Sequence, residues 1–272
     1  MSLFFKKKND NTELKTVSPQ GVGLSYEVAN LQGMGSRKYQ EDSFCVANVF
    51  DEAKLKEQGL LFAVCDGMGG LSNGRDASQT AVDIIRRNFF EMDRTKNISE
   101  SLCQSLTEAS EAIFNKYNES GGSTGIAGVI YKDKLHFASV GDSYIFLLRK
   151  GILVRLNEQH NLCNRIYEEC IREDNWNPFL ARNNVEKNAL TSYLGIKDIS
   201  KIDSTVRPID LLPGDLLLIC SDGVNTFIED DELKALLVAA DAGASTGNIE
   251  NKIIEINNPN QDNYTAIVIC VR

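Results

Sequence analysis

Only two histidines, His136 and His160, occur in 272 residues, and none of the seven cysteines stands in a C-x-x-C pair. That scarcity argues against a zinc site built from clustered imidazole and thiolate ligands. The cysteine count is odd, and Cys45, Cys65, Cys220 and Cys270 lie inside apolar runs. They read as small buried side chains in a reducing compartment, not as a disulfide framework. No apolar run approaches the ~18–20 residues of a membrane-spanning helix and no secretory signal is read, so a cytoplasmic protein is expected. Positive charge is also short, with 29 Lys and Arg against 38 acidic residues and a net charge of −9. Nucleic acid is a poor partner for such a chain, because phosphate backbones demand basic patches. The one basic run, Lys6-Lys7-Lys8, is expected to be part of a solvated tail. Internal repeats and low-complexity segments are absent.

What the chain does have is a repeated arrangement of acids at strand ends. The run LLFAVC at 60–65 reads as a buried strand and passes directly into Asp66-Gly67-Met68-Gly69-Gly70. Downstream, LLLIC at 216–220 passes through Ser221 into Asp222-Gly223. Two other acids precede their strands: Gln40-Glu41-Asp42 leads into SFCVANV, and Gln261-Asp262-Asn263 into YTAIVICV. In an antiparallel pair the end of one strand lies beside the start of its partner. A hairpin of 43–49 with 60–65 therefore brings Asp42 to Asp66, and the same logic can bring Asp222 beside Asp262. Glu41, Asp42, Asp66, Asp222 and Asp262 would then meet at one end of a sheet. Such a cluster needs protons or cations to neutralise it. Hard oxygen ligands favour Mg²⁺ or Mn²⁺.

Because acids from both ends of the chain must meet, a single catalytic domain over 25–272 is expected, after a flexible leader at 1–24. Strands are read at 25–31, 43–49 and 60–65, with the polar loop DEAKLKEQG joining the last two. Helices follow at 75–92 and 99–118, the second starting from Ser99 as its cap. The segment from Gly121 to Leu156 reads as a four-strand meander. An irregular charged stretch from Asn157 to about Ala189 follows, then the 216–220 strand, helices near 229–240 and 248–256, and a closing strand. Strands and helices in separate blocks point to an α+β fold with antiparallel sheets.

Taken in order, the motifs Arg37-Lys38-Tyr39-Gln40-Glu41-Asp42, Asp66-Gly67-Met68-Gly69-Gly70, Gly122-Ser123-Thr124, Val140-Gly141-Asp142-Ser143, Leu194-Gly195, Ser221-Asp222-Gly223 and Asp262-Asn263-Tyr264-Thr265 resemble those of the metal-dependent serine/threonine protein phosphatases of type 2C, in a bacterial-like form. The resemblance spans roughly 25–272. It implies a β-sandwich of two antiparallel sheets flanked by helices on both sides, holding two Mn²⁺ or Mg²⁺ ions. By position, Asp66 would bridge the ions, with the Gly67 carbonyl, Asp222 and Asp262 as further ligands and Glu41 and Asp42 holding their waters. Asp142 would support a third, weaker ion, and Arg37 would grip the substrate phosphate. The activity implied is hydrolysis of phosphoserine and phosphothreonine in proteins, with no protein nucleophile. A catalytically silent binding module and a small-molecule phosphomonoesterase remain the alternatives. Met68 stands where many eukaryotic relatives have a histidine, which leaves the general acid unassigned. His160 precedes the expected variable flap at about 161–190, a candidate for choosing substrates. Ser123 and Thr124 lack a neighbouring base and are expected to serve the backbone or the packing.

Overall fold

The computed structural model describes residues 13–14, 23–68, 73–175, 177–199 and 201–272. Among them, two antiparallel sheets stack face to face. One runs in the order β1 (Glu13–Leu14), β2 (Tyr26–Gly33), β12 (Tyr264–Val271), β11 (Leu216–Cys220), β7 (Tyr144–Arg149), β8 (Ile152–Arg155). The other runs β10 (Ile209–Asp210), β6 (Lys134–Val140), β5 (Gly125–Tyr131), β4 (Leu60–Cys65), β3 (Ser43–Ala47), with β9 (Asp203–Ser204) also on β6. This is the α+β sandwich that the acid pattern and the resemblance require.

The continuous apolar runs have a simple cause: each central strand is buried on both faces. In β4, Leu60, Phe62 and Val64 point between the sheets with Ile219, Ile267 and Ile269. Leu61, Ala63 and Cys65 point outward under α2 (Gly74–Glu91) and α3 (Ile98–Tyr117), against Ala77, Ala81, Ile85, Leu102 and Leu106. On the opposite side, Ala266, Val268 and Cys270 of β12 meet Ile249 and Ile253 of α7 (Ala242–Ile256). Four layers result, helix on sheet on sheet on helix.

Packing between β4 and β5 is close enough to forbid a side chain. Gly128 pairs with Phe62 across the strands, and a Cβ built at Gly128 would stand 2.0 Å from the Phe62 ring. Gly128→Ala is therefore expected to destabilise the fold by about 1–3 kcal/mol through overpacking. The urea midpoint should fall with an unchanged slope; an unmoved midpoint would mean that the ring swings aside freely.

Several local expectations need correction. The Gly121–Leu156 stretch is not a single meander. β5 and β6 form a hairpin through Lys132 and Asp133, both at positive φ, and β7 and β8 form another through Lys150 and Gly151, but the two hairpins belong to different sheets. Gly141-Asp142-Ser143 is the crossing point. Gly141 takes φ +101, and a Cβ there would lie 2.7 Å from Thr124, so only glycine fits. The polar loop at 51–59 contains α1 (Glu52–Gln58), capped by Asp51 and ended by Gly59 at φ 85. Helix α3 is capped by Asn97, whose side chain accepts from Ser99 N and Glu100 N, and not by Ser99. Ser99 is buried instead, its hydroxyl 2.6 Å from that of Thr205. The irregular stretch carries α4 (Leu162–Arg172) and α5 (Pro178–Arg182), and near the C-terminal end α6 (Asp230–Leu236) precedes α7. Of the expected leader, Glu13 and Leu14 pair with Ala29 and Val28. Lys6-Lys7-Lys8, Gly69, Gly70 and Trp176 lie outside the described residues.

Candidate metal centre

Both expected strand pairings form, and they deliver the acids to one end of the sandwich. Ser43 stands opposite Cys65, which sets Asp42 beside Asp66. Cys220 stands opposite Ala266, and Ser221 N donates to Thr265 O at 3.0 Å, which leaves Asp222 alongside Asp262 and Asn263. The crossing at Gly141 carries Asp142 to the same end.

Asp42 is buried. Its Oδ2 accepts from Ser221 Oγ at 2.8 Å, while Oδ1 is buried with no donor in reach. Burial pushes its carboxyl up to about 6, against the pull of hydrogen bonds from Thr265 and Ser221. The half-buried Asp66 is held well above the usual carboxylate range, first by burial and then by Asp42, Asp222, Asp142 and Asp262. Asp142 is pushed to about 7 by burial and by Asp222, and Asp222 is raised by burial and by Asp262. Glu41 is raised by burial, with Arg37 pulling the other way. These mutual charge effects place the acids in one electrostatic neighbourhood.

The Asp66 backbone is fixed by neighbours that sequence reasoning left in a supporting role. Its N–H donates to Thr124 Oγ1 at 3.0 Å, and its carbonyl accepts from Ser123 Oγ at 3.0 Å and Thr124 N at 2.8 Å. Ser123 and Thr124 are thus backbone props, as expected. Gly67 N donates to Glu41 O at 3.2 Å, tying the two acid-bearing loops together. Asn263 was missed. Its Oδ1 accepts from Glu41 N at 2.8 Å and its Nδ2 donates to Met34 O and Tyr39 O, both at 3.0 Å, so one buried amide shapes the loop that carries Arg37 and Glu41. Its place directly after Asp262 was the available signal.

Arg37 Nη2 lies 2.6 Å from Asp262 Oδ2, and both side chains are well exposed. Of the two histidines, His136 is buried with Nδ1 3.4 Å from Ser99 Oγ. His160 is 2% exposed, and Nδ1 accepts from Gly141 N–H at 3.2 Å. Burial pushes its pKa down to about 4.

Among the described residues, no three His, Cys, Asp or Glu side chains stand ready as a cation cage; the acids instead lean on Ser221, Arg37 and one another. The donor set nevertheless fits hard divalent cations. It is made of carboxylates, it contains a buried oxygen without a donor at Asp42, and Asp66 is destabilised by four acidic neighbours.

The same repulsion fixes a pH dependence. In the metal-free protein these carboxyls are harder to ionise in the fold than in the unfolded chain, where Asp titrates near about 4. The folded state then holds the extra protons, so their stabilising contribution is full below about pH 4 and is lost as pH rises through the values of about 6 and 7 at Asp42 and Asp142. With chelator present, the urea midpoint should fall between pH 5 and pH 8, and saturating Mn²⁺ should flatten or reverse that trend. A midpoint that climbs over this range in chelator would contradict the clustering.

Comparisons with known proteins agree with the geometry. A serine/threonine phosphatase stp of Listeria welshimeri is 30% identical over 212 residues, covering 74% of this chain and 78% of that protein. The mouse protein phosphatase 1E is 32% identical over 130 residues, 46% of this chain and 17% of that protein. In fold, the chain is similar to the Streptococcus agalactiae serine/threonine phosphatase, with a TM-score of 0.75 at 23% identity over 91% of this chain and 100% of that one. It is also similar to the catalytic domain of the protein phosphatase PstP solved with two manganese ions, with a TM-score of 0.69 at 22% identity over 91% and 99%. Residues 26–188 match the family Protein phosphatase 2C, and with the strand-end acids and the sandwich already in place, the chain belongs to that family.

Proposed function

We propose that this protein hydrolyses phosphoserine and phosphothreonine in proteins, using two Mn²⁺ or Mg²⁺ ions held by Asp66, Asp222, Asp262 and the Gly67 carbonyl, with Glu41 and Asp42 beside them and Asp142 supporting a weaker third ion. The observation that carries this reading is the gathering of Asp42, Asp66, Asp142, Asp222 and Asp262 at one end of the sandwich with Arg37 at its rim. Ions bound there supply water activation and charge neutralisation for in-line displacement at phosphorus. Arg37, exposed and anchored on Asp262, orients the phosphate. Ser123 and Thr124 hold the Asp66 backbone against displacement. No histidine is placed to protonate the leaving alcohol, since His160 is buried against Gly141 and position 68 is methionine. That proton is taken from water in the site.

The substrate surface extends to the flap. There Ile171 of α4, Phe179 and Leu180 of α5, and Val185 are exposed large apolar side chains within about fifteen residues of one another in sequence. They suit contact with a folded phosphoprotein, itself the product of a serine/threonine kinase, better than with a small ester. Among the described residues no helix is long and apolar enough to cross a membrane. The seven unpaired cysteines suit a reducing cytoplasm.

Phosphate release from a phosphothreonine peptide and from an aryl phosphate, each with Mn²⁺, Mg²⁺ or chelator, tests the reading. Release from the peptide that depends on metal supports it. Release from the aryl ester alone would favour a small-molecule phosphomonoesterase, and none from either would favour a silent binding module.

A further inference from the structure

Asp142 sits on a turn whose backbone is held almost entirely from one short segment, Asn157 to His160. Asn157 Oδ1 accepts from Ile145 N at 2.8 Å, and its Nδ2 donates to Ser143 O at 2.9 Å. Gln159 Nε2 donates to the carbonyl of Asp142 itself at 2.8 Å. His160 closes a two-bond clasp on Gly141: its N–H donates to Gly141 O at 2.9 Å and its Nδ1 accepts from Gly141 N–H at 3.2 Å. Three side chains within four residues therefore secure four backbone sites, at 141, 142, 143 and 145. Because Nδ1 accepts, the ring proton is on Nε2, and that atom is buried without a partner. A buried donor left unpaired is unfavourable. The ring's placement on Gly141 must outweigh it.

The other side of this segment is fastened to the flap. Asn164, in the first turn of α4, donates from Nδ2 to Gln159 O at 2.8 Å. Lys201 Nζ reaches Glu158 Oε1 at 2.8 Å and Glu168 Oε1 at 2.5 Å, joining the segment to the middle of α4. Glu158 N in turn donates to Asp203 Oδ2 at 2.8 Å.

We infer that Asn157, Gln159 and His160 are positioning residues that hold the Asp142 carboxylate for its cation and transmit the seating of flap helix α4 to it. The inference rests on the metal-centre reading given above. A shift of α4 pulls on Gln159 O through Asn164 and on Glu158 through Lys201; Gln159 is bonded to the Asp142 turn directly, and Glu158 stands between Asn157 and Gln159, which both are. Flap position and cation affinity at Asp142 are thereby coupled through the Asn157–His160 segment.

Amide hydrogen exchange on chelator-treated protein, with no substrate, tests the clasp independently of any phosphatase activity. In His160→Ala, exchange at Gly141 should rise by about tenfold, the scale of one lost buried hydrogen bond. His160→Asn, whose Oδ1 stands in for Nδ1, should restore protection. Mn²⁺ titration calorimetry should show the weak site, absent in Asp142→Ala, also weakened about tenfold in His160→Ala and Gln159→Ala, with the two tight sites unmoved. Lys201→Ala should raise exchange at Gly141 and Ile145, whose N–H groups the segment accepts. Unchanged Gly141 exchange in both His160→Ala and Gln159→Ala, or a weak Mn²⁺ site unaltered in them or in Asp142→Ala, would overturn the positioning role; unchanged exchange in Lys201→Ala would remove the flap from it. Should His160→Ala fail to fold, the weak Mn²⁺ site in Gln159→Ala carries the decision, since that variant removes the bond to the Asp142 carbonyl and the one accepted from Arg155 while leaving the His160 clasp on Gly141 in place.

Discussion

Asp66→Asn should abolish phosphatase turnover, by at least about a thousandfold, the scale on which removing a principal electrostatic element of an active site acts, and should make the metal-free protein more stable. The two effects have one cause. Asp66 lies among Asp42, Asp222, Asp142 and Asp262, and its carboxyl is held well above the ordinary range by burial and by those four charges. Asparagine keeps the shape and the hydrogen-bonding backbone, with Thr124 Oγ1 still accepting from residue 66 N–H, but brings no charge. The fold is relieved of a repelled anion, and the site loses a carboxylate that would help hold the cations. For a chain of this size each kcal/mol of relief moves the melting temperature by about 2–4 °C. Wild-type protein at a hundredfold excess of Mn²⁺ over its Kd should gain about 2.7 kcal/mol by mass action, and the variant should gain much less. Thermal melts with chelator and with Mn²⁺, alongside the peptide assay, check all of this. Full turnover of the variant in Mn²⁺, or a lower metal-free melting temperature, would remove Asp66 from the centre of the site.

That prediction was within reach of the sequence because the information is local and periodic. An apolar run that ends in an acid, and an acid that begins the next run, need only antiparallel pairing to meet, and Ser43 opposite Cys65 is what the hairpin delivers. The helical pair 75–92 and 99–118 was likewise legible, since Ala77, Ala81 and Ile85, like Leu102, Leu106 and Ile113, recur at helical spacing on one buried face. Sheet membership was not legible. β4, β5 and β11 are buried on both faces, so their sequences are apolar throughout and carry no alternation to say which partner lies on which side. Nothing in Gly141-Asp142-Ser143 distinguishes a turn within one sheet from a crossing between two; the distinction lies in the contact of Gly141 with Thr124, a residue seventeen positions away. Helix α1 escaped notice for the opposite reason, because it has no buried residue to mark a face. Asn263 and the Asn157–His160 clasp act through side-chain bonds to backbone atoms, and such bonds leave no periodic trace at all.

Arg37→Ala should lower kcat/KM on a phosphate ester by about ten- to hundredfold, chiefly by raising KM, without weakening Mn²⁺ binding. Glu41, Asp42, Asp66, Asp222 and Asp262 carry five negative charges when ionised, two divalent ions offset four, and the remainder repels a phosphate dianion unless a cation stands nearby. Arg37 is that cation. In the structure its Nη2 lies 2.6 Å from Asp262 Oδ2, and with side chains 47% and 39% exposed the pair is one that solvent screens. Exposed ion pairs are typically worth ~0–1 kcal/mol, so the guanidinium can turn toward a phosphoryl group at little expense. It has five N–H donors, and one bond to Asp262 leaves enough for a bidentate grip on two phosphoryl oxygens. Charge-assisted bonds of that kind are worth ~1.5–3 kcal/mol, which sets the expected fold-change. Arg37→Lys should recover only part of the loss, because an ammonium keeps the charge but not the planar fork. Losing the arginine also frees Asp262 from the one ion pair it makes among the described residues, so Mn²⁺ affinity is not expected to fall. Steady-state kinetics of both variants at saturating Mn²⁺, with calorimetry for the metal, decide the matter: an unchanged kcat/KM would place Arg37 outside the substrate site, and a loss confined to metal affinity would make it a prop for Asp262 instead.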